Sequence, residues 1–283
     1  MLQIEFDLSQ FESVEIVPIA DCHCGNKHFL DHILKQTIDY VLEEPDDPKM
    51  ARICLLNGDL TESVTRHSVG NIFDQTMTPS VQVATMINYL KPLTEISEKY
   101  PQGKILSYCA GNHDSGRYKD TGISAAESIA VGLGLEDRFS VDGCYSFIRL
   151  ARIFYPNKNQ FTISTIYNTH LTGSAGTVGG KANRVLRAGV NGGIIADIIV
   201  GSHVHQPITF KEDIILPSRN SNITLVQKTI TYLITGAMLS YGDYAQRNGM
   251  KPSSLVMPRI FIRQAQRVGL SGKERYHYTE VLL

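Results

Sequence analysis

Five short segments of this 283-residue chain carry side chains that could act together. They are Asp21-Cys22-His23, Gly58-Asp59, Gly111-Asn112-His113-Asp114, Asn168-Thr169-His170 and Ser202-His203-Val204-His205. Their Asp, Asn and His side chains are oxygen or imidazole ligands of the kind divalent metals take. Alternate residues of an extended segment face one way. That spacing predicts Asp21 beside His23, and His203 beside His205. Gly58 and Gly111 stand just before candidate ligands, where the backbone must turn tightly without a Cβ clash.

Each segment closes an apolar run. Runs at 15–20, 52–56 and 104–110 end at the first three, and predicted strands at 161–167 and 196–200 precede the last two. Helical stripes lie between them: 27–43, a second opening at Thr78-Pro79 and ended by Pro92, a third at 124–133, and a short one at 181–188. Further strands are expected at 145–150, 208–216, 223–234, 259–263 and 276–282. The early alternation reads as α/β layers, and the strand-rich remainder as a second sheet packed on the first. Ligands gather outside the carboxyl ends of strands in open α/β sheets, so separate strands can deliver their polar tips to one place. No linker or internal repeat divides residues 1–283, and one domain is expected.

In this order the motifs resemble the signature of the calcineurin-like metallophosphoesterase superfamily, D-x-H, G-D, G-N-H-D/E, H, G-H-x-H. The resemblance runs from Asp21 to His205, about two-thirds of the chain, with one departure: Ser202 stands where the last motif has Gly. It implies a four-layer β-sandwich flanked by helices and a two-metal site. Asp21, His23 and His205 would bind one metal, and Asn112, His170 and His203 the other. Asp59 would bridge both with its two carboxylate oxygens. The ions would be Mn²⁺ by resemblance, with Fe or Zn²⁺ compatible with the same ligands. A hydroxide activated by two metals would then be the nucleophile, which suits a sequence with no G-x-S-x-G motif. His113 would stand beside the phosphoryl group as a proton donor, with Glu62 or Asp114 as its carboxylate partner. The implied activity is a phosphodiesterase on DNA, RNA or nucleotides; alternatives are a phosphomonoesterase and a non-catalytic scaffold. Residues 58–62 and 111–114 lack the G-D-x-V-D-R-G and G-N-H-E text of serine/threonine phosphatases.

Composition limits the rest. Hydrophobic residues make up 42% and charged residues 19%, which suits a globular chain and excludes a largely disordered one. No apolar run is long enough to span a membrane, and the opening residues have no signal-peptide pattern, so a cytoplasmic protein is expected. Net charge is −1, unevenly spread. Residues 1–62 hold 13 acidic and 4 basic side chains, and 247–275 hold 7 basic and 1 acidic. The basic stretch reads equally as a nucleic-acid path or a solvated face. Lys181, Arg184 and Arg187 read as a positive rim or an ordinary helix face. Residues 62–80, 115–123 and 173–180 are the loops expected to choose substrate. Segment 236–258, with Tyr241, Tyr244 and Arg247, reads as cover for the site or as a subunit contact in a homo-oligomer. Cys22 and Cys24 have no second pair to complete a structural zinc site. His28, His32 and His277 match no motif, and His67 reads as a loop histidine.

Overall fold

A computed structural model describes the chain except residues 66–71, 117–121, 154–160, 174, 218–224, 243–251, 253–254, 256 and 270–271. Among the described residues, two six-stranded sheets lie face to face. The first has the order β12 (Gly272–Leu282), β11 (Arg259–Gly269), β2 (Ser13–Ile19), β3 (Met50–Asn57), β4 (Ile105–Cys109), β5 (Phe139–Ser140). The second runs β1 (Leu2–Leu8), β6 (Cys144–Ala151), β7 (Phe161–His170), β8 (Ile198–Ser202), β10 (Leu225–Ile234), β9 (Ile208–Pro217). Strands β2, β3 and β4 are parallel neighbours, as are β7 and β8. Their near-continuous burial follows from coverage on both faces.

Between the sheets lies one apolar seam, which includes Phe6, Ile16, Ile53, Ile148, Ile166 and Val200. Outside the first sheet pack α1 (Asp31–Leu42), α2 (Pro79–Leu90) and α4 (Ala125–Leu133), with Leu34, Met86 and Ile129 turned inward. The five-residue helix α3 (Asn112–Gly116) starts on a candidate ligand. Outside the second sheet lies α5 (Val178–Ala188), seated on Val185. The result is the expected α/β sandwich of four layers. Each large side chain moved out of water contributes about 1.5–3 kcal/mol.

Three features depart from the local reading. Residues 2–8 have no element assigned by that reading, yet they form β1, which pairs in parallel with β6 and buries Ile4, Phe6 and Leu8. The two sheets are also not divided by position along the chain: β11 returns beside β2 in the first sheet, and β1 crosses to the second. Helix α1 begins at Asp31 rather than residue 27, because Phe29 is drawn into a bridge with Leu239. Helix α1 has no basic residue in its last turn; Lys104 supplies one from outside, donating to the carbonyls of Val41 and Leu42. No helix among the described residues is long and apolar enough to cross a membrane.

Candidate metal centre

The chain continues to pair after β2 and β3 end. Asp21 N donates to Gly58 O at 3.0 Å, His23 N to Asp59 O at 2.9 Å, and Cys24 N to Leu60 O at 2.9 Å. The paired segments are not extended. Asp21, His23 and Asp59 sit at φ of 49°, 52° and 49°, and His203 and His205 at 82° and 59°. Among the described residues, only Ser63 joins them as a non-glycine at positive φ. Left-handed backbone is uncommon outside glycine, although Asp and His adopt it more readily than most, and it persists where the surroundings over-determine it. Asp21 and His23 do converge, but through left-handed turns rather than strand alternation. His203 and His205 separate instead of facing together.

The separation produces two groups. In one, His205 Nε2 lies 3.3 Å from His23 Nε2 and 3.5 Å from Asp21 Oδ1. In the other, His170 Nε2 lies 3.0 Å from Asn112 Oδ1, 3.2 Å from His203 Nδ1 and 3.1 Å from Asp59 Oδ2. Asp21–His23–His205 and Asp59–His170–His203 each bring three donor atoms close enough to share an ion. All seven expected ligands are therefore gathered at the carboxyl ends of β2, β3, β7 and β8 and the start of α3.

One carboxylate oxygen of Asp59 faces both groups, and the other meets a main-chain amide. Its Oδ1 accepts from the His113 amide at 2.8 Å. Its Oδ2 is buried, has no hydrogen-bond partner, and stands 3.1 Å from His170 Nε2 and 3.9 Å from His23 Nε2. Gly111 makes this approach possible. A Cβ there would collide with Asp59 N and Oδ1. Gly111 is thus needed for close packing, whereas Gly58, at φ 81°, is needed for its turn.

The ring nitrogens are also committed. His23 Nδ1 is 2.8 Å from Glu62 Oε2, and His170 Nδ1 is 3.1 Å from Asn57 O. Both oxygens only accept, so both Nδ1 atoms carry hydrogen and each neutral ring turns an Nε2 lone pair inward. Burial opposes charge on His23, but the Glu62 hydrogen bond and charge outweigh it and push the imidazole up to about 9. Burial likewise opposes charge on His170, and Asp59 overrides it, again to about 9. His203 is held down to about 4 by burial and by the neighbouring His170. Asp59 and Asp21 stay well ionised despite burial, because His170 faces the first and His205 the second.

Glu62 and Asp114 make their side-chain hydrogen bonds to groups other than His113. Glu62 bonds His23 and lies 3.9 Å from His113 Nδ1, which instead meets the Glu62 main-chain oxygen at 3.0 Å. Asp114 accepts from Leu60 N, Thr61 N and Thr61 Oγ1, so its carboxylate pins the loop after β3 rather than serving an imidazole. The rings of His113 and His23 meet edge to face, 4.6 Å apart. Asn57 lies outside the five motifs; its place at the end of β3 was the available signal.

The remaining candidates make contacts of their own. The five cysteines are free and buried, with Cys22 and Cys24 in the core under the helices. Lys181 is buried against Gln206, Arg184 donates to Thr172 O, and Arg187 is exposed. Arg259 and Arg263 of the basic stretch reach Glu15 and Glu280. Tyr241 is exposed. His67, Tyr244 and Arg247 lie outside the described residues, as do parts of loops 62–80, 115–123 and 173–180.

No family model matches the chain, and no curated protein matches it. Among solved structures, one similar chain is a conserved uncharacterized protein from Streptococcus pneumoniae TIGR4, described as a predicted phosphoesterase. It shares 10% identity over 94% of this chain and 98% of that one, with a TM-score of 0.35. A likeness that low transfers neither fold nor chemistry.

Proposed function

We propose that this chain is a metal-dependent phosphoesterase of the metallophosphoesterase kind. Asp21, His23 and His205 hold one divalent cation, Asn112, His170 and His203 hold a second, and Asp59 stands between them. Asp59 Oδ2 carries the reading: it is a buried carboxylate oxygen set between the two donor groups, 3.1 Å from His170 Nε2 and 3.9 Å from His23 Nε2. Such an oxygen is costly unless a cation or proton meets it. Divalent cations bound here would supply Lewis-acid charge to a phosphoryl oxygen and make water more acidic. The mixed nitrogen and oxygen donors suit Mn²⁺, Fe or Zn²⁺, and Mn²⁺ is the ion we propose.

The protein's own part in the reaction falls to His113. Its Nδ1 is held by the Glu62 carbonyl at 3.0 Å, which leaves Nε2 for the substrate. When the phosphorus–oxygen bond to the leaving group breaks, the electron pair stays on that oxygen. As water oxygen bonds to phosphorus, the doubly protonated form of His113 gives its Nε2 proton to the leaving oxygen and is left as the neutral ring with Nδ1–H on the Glu62 carbonyl. Asn112 is exposed, and His113 and His205 are partly so, so substrate approaches from their side. The substrate class we propose is a phosphodiester of nucleic acid or a nucleotide, because residues 58–62 and 111–114 depart from the serine/threonine phosphatase motifs.

The test strips metal with a chelator, reloads Mn²⁺, and compares a bis-aryl phosphate diester with the matching monoester. Faster diester turnover is expected. Faster monoester turnover would make the protein a phosphatase. Binding of metal without turnover of either ester, or of natural diesters, would sink the enzyme reading.

A further inference from the structure

A chain of polar side chains crosses the apolar seam between the sheets. Ser107, Asn168, Asn57 and Ser202 are all shielded from solvent. Ser107 Oγ donates to Asn168 Oδ1 at 2.8 Å, Asn168 Nδ2 to Asn57 Oδ1 at 3.1 Å, and Asn57 Nδ2 to Ser202 Oγ at 3.1 Å. The Ser202 hydroxyl donates to the Asn57 carbonyl, and its Oγ lies 2.8 Å from His170 Nδ1. Buried polar groups are costly when unmatched. Here every link is matched, and the chain ends on an imidazole whose other nitrogen faces Asp59 and Asn112.

The proton directions follow from the acceptors. A hydroxyl has one proton, and Ser202 commits it to the Asn57 carbonyl. Ser202 Oγ is therefore free to accept, and His170 Nδ1–H is shared between that oxygen and the Asn57 carbonyl at 3.1 Å.

We propose that Ser202, backed by Asn57, is a positioning residue for His170: it grips the ring at Nδ1 and keeps the Nε2 lone pair aimed at the Asp59 side of the centre. The inference rests on the metal reading above. Glycine, the residue at this place in the motif the sequence resembles, has no hydroxyl to offer. This chain therefore has a hold on His170 that a glycine would lack.

Zinc is a suitable probe because it is diamagnetic. In protein carrying ¹⁵N-labelled histidine and loaded with Zn²⁺, His170 is expected to ligate through Nε2 and to keep a slowly exchanging Nδ1–H. Ser202→Ala should weaken zinc binding at one of two sites about tenfold, at the low end of the loss typical of outer-shell partners, and should shift the Nδ1–H resonance. Ser202→Thr should restore both. A structural role alone would lower the melting temperature and leave the zinc Kd and that resonance unmoved. Ligation through Nδ1, or a Ser202→Ala Kd within about twofold of wild type with the resonance unshifted, would overturn the proposal. If Ser202→Ala does not fold, the wild-type spectrum decides. Failure to take up any zinc would overturn the metal reading and this inference with it. Two zinc ions held equally well by both proteins would overturn this inference alone.

Discussion

Glu62 Oε2 lies 2.8 Å from His23 Nδ1 but 3.9 Å from His113 Nδ1, so the carboxylate hydrogen-bonds the buried histidine rather than the half-buried one. A carboxylate bonded to one ring nitrogen fixes the tautomer and makes the other nitrogen a better ligand. Glu62 stays ionised because His23 outweighs its burial. Glu62→Gln should therefore weaken metal binding at the His23 side by about 10–100-fold, the range for outer-shell partners. Chelator competition on the purified variant would show this. Full metal occupancy with a slower reaction would instead return Glu62 to His113.

The metal-free protein should lose stability as pH rises. His23 and His170 are raised to about 9 by Glu62 and Asp59 against the opposing effect of burial, whereas an unfolded histidine titrates near about 6.5. A pKa raised on folding stabilises fully below the unfolded value and is lost as pH passes the folded one. The melting temperature of the chelator-treated protein should thus fall between about pH 6.5 and 9. Metal bound at Nε2 excludes that proton, so the loaded protein should show a weaker decline. An equal decline with and without metal would mean that these two rings do not face the bound ions.

Gly111 and Gly134 offer a matched pair. A methyl group on Gly111 would meet the backbone nitrogen and Oδ1 of Asp59, which have nowhere to retreat. Gly111→Ala should displace Asp59 and abolish binding of both metals. Gly134 ends α4 in a left-handed turn at φ 68° with open space around it. Gly134→Ala should cost about 1 kcal/mol of stability through strain and leave metal binding intact. Metal analysis alongside thermal melts separates the two effects.

The strand ends were legible because each ligand segment terminates an apolar run, and a run covered on both faces leaves few other readings. The five candidate segments from Asp21 to His205 follow from those runs, whereas their division into two expected ligand groups follows from the resemblance to the metallophosphoesterase signature. The backbone of those ligands could not be read. Five of them are left-handed, a conformation imposed by pairing such as Asp21 N to Gly58 O, across 37 positions of sequence. The same limit hid the partner of Glu62, which depends on where His23 lands. It also hid β1, whose alternation of Ile4, Phe6 and Leu8 means little until β6 lies beside it.

Away from the centre, Lys104 fastens helix α1 to the first sheet. Its ammonium donates to Val41 O at 2.8 Å and Leu42 O at 3.2 Å, where the helix leaves carbonyls unpaired. Lys104→Met keeps the apolar stem but removes both bonds. It should lower stability by about 1–3 kcal/mol without changing metal content. Denaturant melts would register this; a loss of metal instead would show that α1 and the site are coupled.

His113 separates chemistry from metal binding most sharply. Its amide supports Asp59 Oδ1 and its Nδ1 meets the Glu62 carbonyl; its side chain lies with His23 and Glu62, outside both Asp21–His23–His205 and Asp59–His170–His203. His113→Ala keeps the amide, so Asp59 should stay in place and metal stoichiometry should not change. What disappears is the Nε2 proton for the leaving oxygen, a contribution of about 10²–10⁴-fold in rate. The loss should shrink for esters whose leaving groups need no proton, such as nitrophenolates, and be largest for alkoxide leaving groups. Equal losses on both kinds of ester would assign His113 to binding the phosphoryl group rather than to proton transfer.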